Sequence, residues 1–426
     1  MKHLHIAEED KDVNDMSAGP ALADRRIPAG DDFLPREEVS KLTPEILLAR
    51  VKALQPLIAE RAPIAEKLRR PDDEVWSALR HSGVFYLLIP KEFGGLEADF
   101  DSMINIGLAI AEADASTAWT ATFCIEHNWM LAKWPRKAQE ELWNGRFPYV
   151  ISPYTANPPG MAVPVDGGYR VSAHWKWGTG SMHADHVMGM VLLPQGEGEP
   201  PVPLSIIVPA EQAQIIDTWY MAGMQSTGSN DVVFNDVFIP EHFAARDIFA
   251  GTSEVSHDNP MYKVPFLPFL GLAAAIPVVG ATRGMVKMYQ DRVKSQLRTF
   301  ATTVSMDRPQ SQARLARAEL TQRSAELMLR DAARRLMVFG TLPEEQKMAE
   351  RLAIRAQLSL AVTICRDLIM QLVEGAGTTA HAAGSHFNRA MRDVITLSTH
   401  LVFEYDTSME QHGRGLVGLP PNSQMI

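Results

Sequence analysis

"DGGYRVSAHWKWGTGS", residues 166–181, decides how the rest of the chain is read. Asp166-Gly167-Gly168 has the composition of a tight hairpin turn, because glycine accepts the backbone angles such turns impose. The residues after it alternate. Tyr169, Val171, Ala173, Trp175 and Trp177 fall on one face of a strand, and Arg170, Ser172, His174 and Lys176 on the other. Strand patterns continue in "HVMGMVLLP" (186–194), "PLSIIVPA" (203–210), "AQIIDTWYM" (213–221) and "DVVFNDVFIP" (231–240). Six or so strands at this spacing predict a small barrel or sandwich.

On both sides the period lengthens. "PEILLARVKALQPLIAERAPIAEKLRR" (44–70) repeats its apolar residues every three or four positions, and "DDEVWSALRHSG" (72–83) opens on acids and closes on glycine. Met103 to Trp134 reads as one long buried helix, interrupted only by Glu112, Asp114 and Glu126. After Tyr262 four long helical segments are expected, near 264–298, 309–338, 343–374 and 386–412, as in an antiparallel bundle. The expected organisation is a polar arm over 1–36, a helical domain over 37–148, a β-domain over 149–258 and a four-helix bundle over 259–426. The fold class is mainly α with a central β-domain.

Bulk composition excludes several classes. A net charge of −10 lacks the basic footprint of nucleic-acid binding. Cys124 and Cys365 are the only cysteines and have no metal-ligand spacing, so neither a disulfide nor a metal site is expected, and buried thiols point to the cytoplasm. The N-terminal stretch lacks the apolar core of a secretory signal. No run reaches ~18 uninterrupted apolar residues, so no membrane span is expected.

"MQSTGSNDVVFNDVFIP" (224–240) raises a chemical question. It crowds Ser226, Thr227, Gly228, Ser229 and Asn230 in front of an apolar strand. A well-capped loop explains part of this. A row of small hydrogen-bonding groups beside a polar cofactor edge explains all of it.

The helix–β–helix order and several motifs resemble the acyl-CoA dehydrogenase superfamily. "PKEFGGLEADF" (90–100) is similar to its loop before a long helix, "ADASTAW" (113–119) to the next helix, "DGGYRVSAHWKWGTGSMHADH" (166–186) to its flavin-covering hairpin and "DVFIPEH" (236–242) to a flavin-proximal strand. Within the superfamily, "STGSND" (226–231), "CIEHNWMLAKWPRKAQEELW" (124–143) and the tail from Phe387 to Pro420 resemble two-component flavin monooxygenases. That resemblance implies an acyl-CoA dehydrogenase-like fold and an oxygenase component. It would use reduced FMN, or FAD, with O2 through a C4a-hydroperoxide to hydroxylate an aromatic or other small substrate.

The resemblance also implies roles. Thr179 would lie near flavin N5. His127 would hydrogen-bond or deprotonate a substrate hydroxyl, against the plainer reading of a satisfied core histidine. His400 would act beside the flavin peroxide, against the reading of a helix-end histidine. Ser152, Trp177, Thr227, Ser229 and Asn230 would line the flavin, with either Trp175 or Trp177 in the core. Arg298 and Gln312 would reach a neighbouring subunit's flavin, which implies a homotetramer; Arg389, Arg392 and Asp393 read equally as structural ion pairs. No GxGxxG follows a strand, so a separate flavin reductase is expected. The alternative is a true acyl-CoA dehydrogenase with FAD and Glu404 as its carboxylate base. A non-catalytic assembly protein would have lost the flavin-lining hydroxyls, and Thr179, Thr227 and Ser229 are present.

Overall fold

The computed structural model describes residues 34–144, 154–196, 198–246, 248, 257–295 and 305–423. Helices α1 (Arg36–Val39), α2 (Pro44–Leu68), α3 (Asp73–Ser82), α4 (Phe100–Ala113), α5 (Ala115–Leu131) and α6 (Arg136–Gln139) precede the sheet. Strands β1 (Tyr154–Val165), β2 (Gly168–Gly178), β3 (His186–Leu193), β4 (Val202–Pro209), β5 (Gln214–Ile216), β6 (Asn230–Pro240) and β7 (Ala244–Arg246) follow. Helices α7 (Phe266–Ser295), α8 (Pro309–Val338), α9 (Glu344–Ala376), α10 (His386–Ser398) and α11 (Tyr405–Leu416) complete the fold.

The strands form one mixed sheet in the order β5-β6-β2-β1-β3-β4-β7. Every pairing is antiparallel except β1 with β3. Asp166 and Gly167 make the hairpin turn between paired Val165 and Gly168, and Gly167 has φ +77°.

Helix α7 is the axis of the helical layer and packs on α4, α5, α8 and α9. Its approach to α4 depends on Gly280, where a Cβ would sit 2.5 Å from Ala111 Cβ. Helices α7 and α9 are long and apolar enough to cross a bilayer. Burial in the protein accounts for the composition of α7, 89% of whose apolar window is covered, against 56% for α9.

Two of the expected helices are broken, each for a local reason. The span 103–134 divides at Asp114, whose extended backbone (φ −159°, ψ 126°) ends α4 and whose carboxylate accepts the Thr117 amide at 2.8 Å to cap α5. The segment near 386–412 divides between α10 and α11. There His400 starts a single 3-10 turn (Leu401–Phe403), its Nδ1 accepting the Val402 amide at 3.3 Å.

Candidate active site

Helix α5 presents Trp119, Phe123 and His127 at four-residue spacing, hence on one face. The rings form a row. Trp119 stacks on Phe123 with centroids 5.5 Å apart, and Phe123 meets His127 edge-on at 4.0 Å. The row extends at both ends, to Tyr154 of β1, 6.4 Å from His127, and to His400, 5.3 Å from Trp119. Tyr154 and Ser205 hydroxyls are 3.2 Å apart, and burial pushes the phenol's pKa up, so it stays neutral. Burial pushes the His400 imidazole down to about 4. It is therefore neutral near pH 7, and because Nδ1 accepts the Val402 amide, its proton sits on Nε2.

At the Trp119 end lies a buried run of hydroxyls from two segments. Trp119 Nε1 donates to Thr179 Oγ1 at 3.4 Å, Thr179 and Ser229 hydroxyls are 2.6 Å apart, and Ser229 and Thr227 hydroxyls are 2.7 Å apart. Thr227 Oγ1 donates to the Met224 carbonyl at 2.9 Å. Residues 225–227 form a 3-10 turn bounded by left-handed Met224 and Gly228. The sequence from 224 to 230 thus folds into the hydroxyl shelf its composition suggested.

Helix α10 holds this region from behind. Arg389 donates to Asp114, the cap of α5, in a fully buried pair at 3.3 Å. Arg392 binds the Ala222 carbonyl at 2.7 Å and pairs with Glu66 of α2. Gly223 is required beside it, since a Cβ there would lie 2.1 Å from the Arg392 carbonyl oxygen. Asp393, next to Arg392 in sequence, serves a different partner, the Met224 amide.

The two tryptophans separate. Trp175 is fully buried, donates to the Met190 carbonyl at 3.1 Å and meets Phe234 edge-on. Trp177 does not share its face. The β2–β6 register shifts between Trp175 and Gly178, and Trp177 has φ +62°, which turns it out to 51% exposure. Such an angle is uncommon for a bulky side chain. Thr179, two residues on, is linked to it by an amide-to-carbonyl bond of 2.8 Å.

Other expected site residues stand outside the ring row and the shelf, or outside the described residues. The Asn230 side-chain oxygen accepts the Thr218 and Trp219 amides at 3.1 and 3.0 Å, so it clamps the loop. Gln312, expected to reach a neighbouring subunit's flavin, is exposed on α8 and donates to the Met306 carbonyl at 2.9 Å. Glu404 is exposed, which removes the desolvated carboxylate that the dehydrogenase alternative needs. Ser152 and Arg298 lie outside the described residues. Phe123 and Tyr154 were not singled out by sequence reasoning. The spacing of Phe123 from His127 was the available signal, whereas Tyr154 reaches the row only through the sheet.

These features fit a flavin. An exposed indole beside a buried hydroxyl shelf matches the flat face and polar edge of an isoalloxazine, and the ring row runs on from that shelf, with His400 at one end and His127 and Tyr154 at the other. Among the described residues no cluster of metal ligands occurs.

The family model described as acyl-CoA dehydrogenase, N-terminal domain, matches residues 47–147, and the C-terminal domain model matches 272–405. A pigment production hydroxylase of Rhodococcus sp. (strain ATCC 21145) is 34% identical over 89% of this chain and 98% of its own. The oxygenase subunit HsaA of a flavin-dependent monooxygenase from Rhodococcus jostii (strain RHA1) is 31% identical over 89% of this chain and 100% of its own. Among solved structures, XiaF from Streptomyces sp., in complex with FADH2 and glycerol, superposes with a TM-score of 0.82 at 26% identity. The match covers 92% of this chain and 99% of that one.

Proposed function

The chain belongs to the acyl-CoA dehydrogenase family, among its flavin-dependent monooxygenase oxygenase components, and from that premise we propose how its own residues divide the work. Trp177, Thr179, Thr227 and Ser229 hold the flavin. Trp119, Phe123, His127 and Tyr154 hold a small phenol-like substrate. One observation carries this reading: the aromatic row joins His127 to His400 and meets the hydroxyl shelf at Trp119.

The bound reduced flavin supplies the activation of O2. The protein supplies the rest. His127, buried on α5, takes or shares the proton of a substrate hydroxyl, and the ring carbon beside that hydroxyl becomes more nucleophilic. His400, neutral and protonated on Nε2, offers a hydrogen-bond donor at the cofactor end of the row. The apolar rings between them exclude water, which strengthens both interactions.

The flavin is reduced FAD, a choice supported by the FADH2 of XiaF, with reduced FMN as the competitor. A separate reductase delivers it, as the designation of HsaA as an oxygenase subunit suggests for that relative. The assembly is a homotetramer built on exposed apolar side chains of the bundle, among them Leu320, Leu327, Leu416 and Val417. Two buried free thiols accord with a cytoplasmic setting.

The test is anaerobic titration with FADH2 and reduced FMN, then mixing with O2 and a panel of phenols. Hydroxylated product and hydrogen peroxide are counted per flavin oxidised. Absence of binding to either flavin, or peroxide alone with every phenol, would sink the reading.

A further inference from the structure

Three acids interrupt the apolar span 103–134. Glu112 pairs with Arg283 and Lys287, and Asp114 caps α5 and receives Arg389. Glu126 has no such use. It is 1% exposed, its Oε1 has no hydrogen-bond partner in the protein, and no neighbouring charge offsets its burial. The other buried acids Asp72, Asp217, Asp231 and Asp393 all accept hydrogen bonds from side chains or backbone amides. An unmet polar atom in the interior is costly, and an apolar residue would fill a purely structural position better. Burial alone holds the carboxyl well above the usual glutamate range, so the side chain is a carboxylic acid that can donate as well as accept.

Its place on α5 is the second observation. Of the 17 residues of α5, Phe123 alone is not buried, so the helix opens at that ring. Glu126 and His127 follow Phe123 by three and four residues, one turn further on. At 3.6 residues per turn they leave the helix about 100° apart, one to each side of Phe123. A substrate ring laid along Phe123 thus has the imidazole on one flank and the carboxyl on the other.

We propose that Glu126 is a specificity-determining residue: it donates a hydrogen bond to an uncharged acceptor oxygen, a carbonyl of the substrate, while His127 engages the hydroxyl of the same molecule. This rests on the reading of the ring row as the substrate site. A carbonyl is the complement because it brings no proton of its own, and so needs the donor that the acid supplies. It also brings no charge, and no group beside Glu126 would neutralise one.

The experiment measures substrate binding to the enzyme loaded with reduced FAD, without oxygen. Each isomer of hydroxyacetophenone is titrated beside the ethylphenol of the same substitution, in which a methylene replaces the carbonyl. Wild type, Glu126→Gln and Glu126→Leu are compared. The acetyl group also acidifies the phenol, so the measure is how the ratio of ethylphenol to hydroxyacetophenone Kd changes between proteins. For at least one isomer that ratio should fall about tenfold from wild type to Glu126→Leu, the loss of one hydrogen bond from a buried donor. Glu126→Gln, which offers an N–H donor at the same reach, should keep most of the wild-type ratio.

Equal ratios in wild type and Glu126→Leu for every isomer overturn the proposal; an acid satisfied by an internal water would give that result. Should Glu126→Leu fail to fold, infrared difference spectra decide. The carboxylic C=O band that Glu126→Gln removes should shift when a hydroxyacetophenone binds the wild type and hold still with its ethylphenol. A band unmoved by every hydroxyacetophenone overturns the proposal equally. Failure of the wild type to bind any phenol would reject the substrate-site reading itself, a result distinct from binding with unchanged ratios.

Discussion

The Asp393 carboxylate accepts the backbone amide of Met224 at 2.6 Å, across 169 residues of chain, and its second oxygen meets the Ser116 hydroxyl at 3.2 Å. Met224 is a non-glycine residue at φ +57°, and its carbonyl anchors the hydroxyl chain. A single buried acid on α10 thus fixes both the shelf and the first turn of α5.

Asp393→Ala removes both bonds and leaves the Met224 amide without a partner, at a cost of about 1–3 kcal/mol. Weaker flavin binding and lower stability are expected. Asp393→Asn keeps an acceptor for Met224 and a donor for Ser116, and should bind flavin nearly as wild type. Equal flavin affinity in a folded Asp393→Ala would show that the shelf holds its shape unaided.

The same residue predicts a pH dependence. Burial, then the nearby Asp114 charge, pushes Asp393 up to about 7, against the pull of the Met224 amide and Arg389; Glu66 adds to the rise, and His386 lies on the same helix. The folded state therefore keeps a proton that the unfolded chain has released. Stability from this group is full below the ordinary aspartate range and is lost as pH rises through about 7. Thermal melts from pH 5 to 8 should decline less for Asp393→Asn than for wild type. Parallel curves would contradict this.

His400 and Glu404 separate the two enzyme chemistries. His400→Ala should leave flavin binding nearly intact and divert turnover to hydrogen peroxide, with hydroxylation falling about 10²–10⁴-fold. Glu404→Gln, at an exposed position, should leave hydroxylation unchanged. The measure is product and peroxide per flavin oxidised in each variant.

Trp175 and Trp177 should respond in opposite ways. Trp175→Ala empties a fully buried site and should cost about 3–5 kcal/mol of stability. Trp177→Gly relieves a left-handed tryptophan and should raise stability by about 1 kcal/mol while weakening flavin binding. Chemical denaturation of the flavin-free proteins, beside flavin titration, reads both effects.

His127→Ala should spare flavin affinity and slow hydroxylation of phenols about 10²–10⁴-fold. Phenols that ionise readily bring their own charge. Their turnover by the variant should recover as pH rises through the phenol's pKa, whereas a purely structural histidine would give no such recovery.

The order of helices, strands and helices was legible because apolar periodicity reports one-sided burial directly. The hydroxyl cluster was legible because such residues seldom crowd before a strand without a hydrogen-bonding task. The break at Asp114 was hidden, since an apolar span reads as one helix and the Arg389 that joins the cap comes from a distant helix. The outward turn of Trp177 was hidden because alternation assumes an unbroken register, and the bulge appears only against β6. Asp393 read as half of a local ion pair, while its partners are a backbone amide and a serine brought in by the fold.

The four-residue spacing of Trp119, Phe123 and His127 turns α5 into a ruler. Each step advances about 6 Å along the helix axis, so the three marks span about 12 Å. In the proposed division of work one end serves the cofactor shelf and the other proton transfer, but Phe123 stands at the middle mark with no hydroxyl or imidazole duty of its own. Exchange at that one graduation would alter the bulk at the middle of the row without moving either end. Descendants of this scaffold could diverge in diet by recutting a single notch, while the oxygen chemistry they inherit stays calibrated.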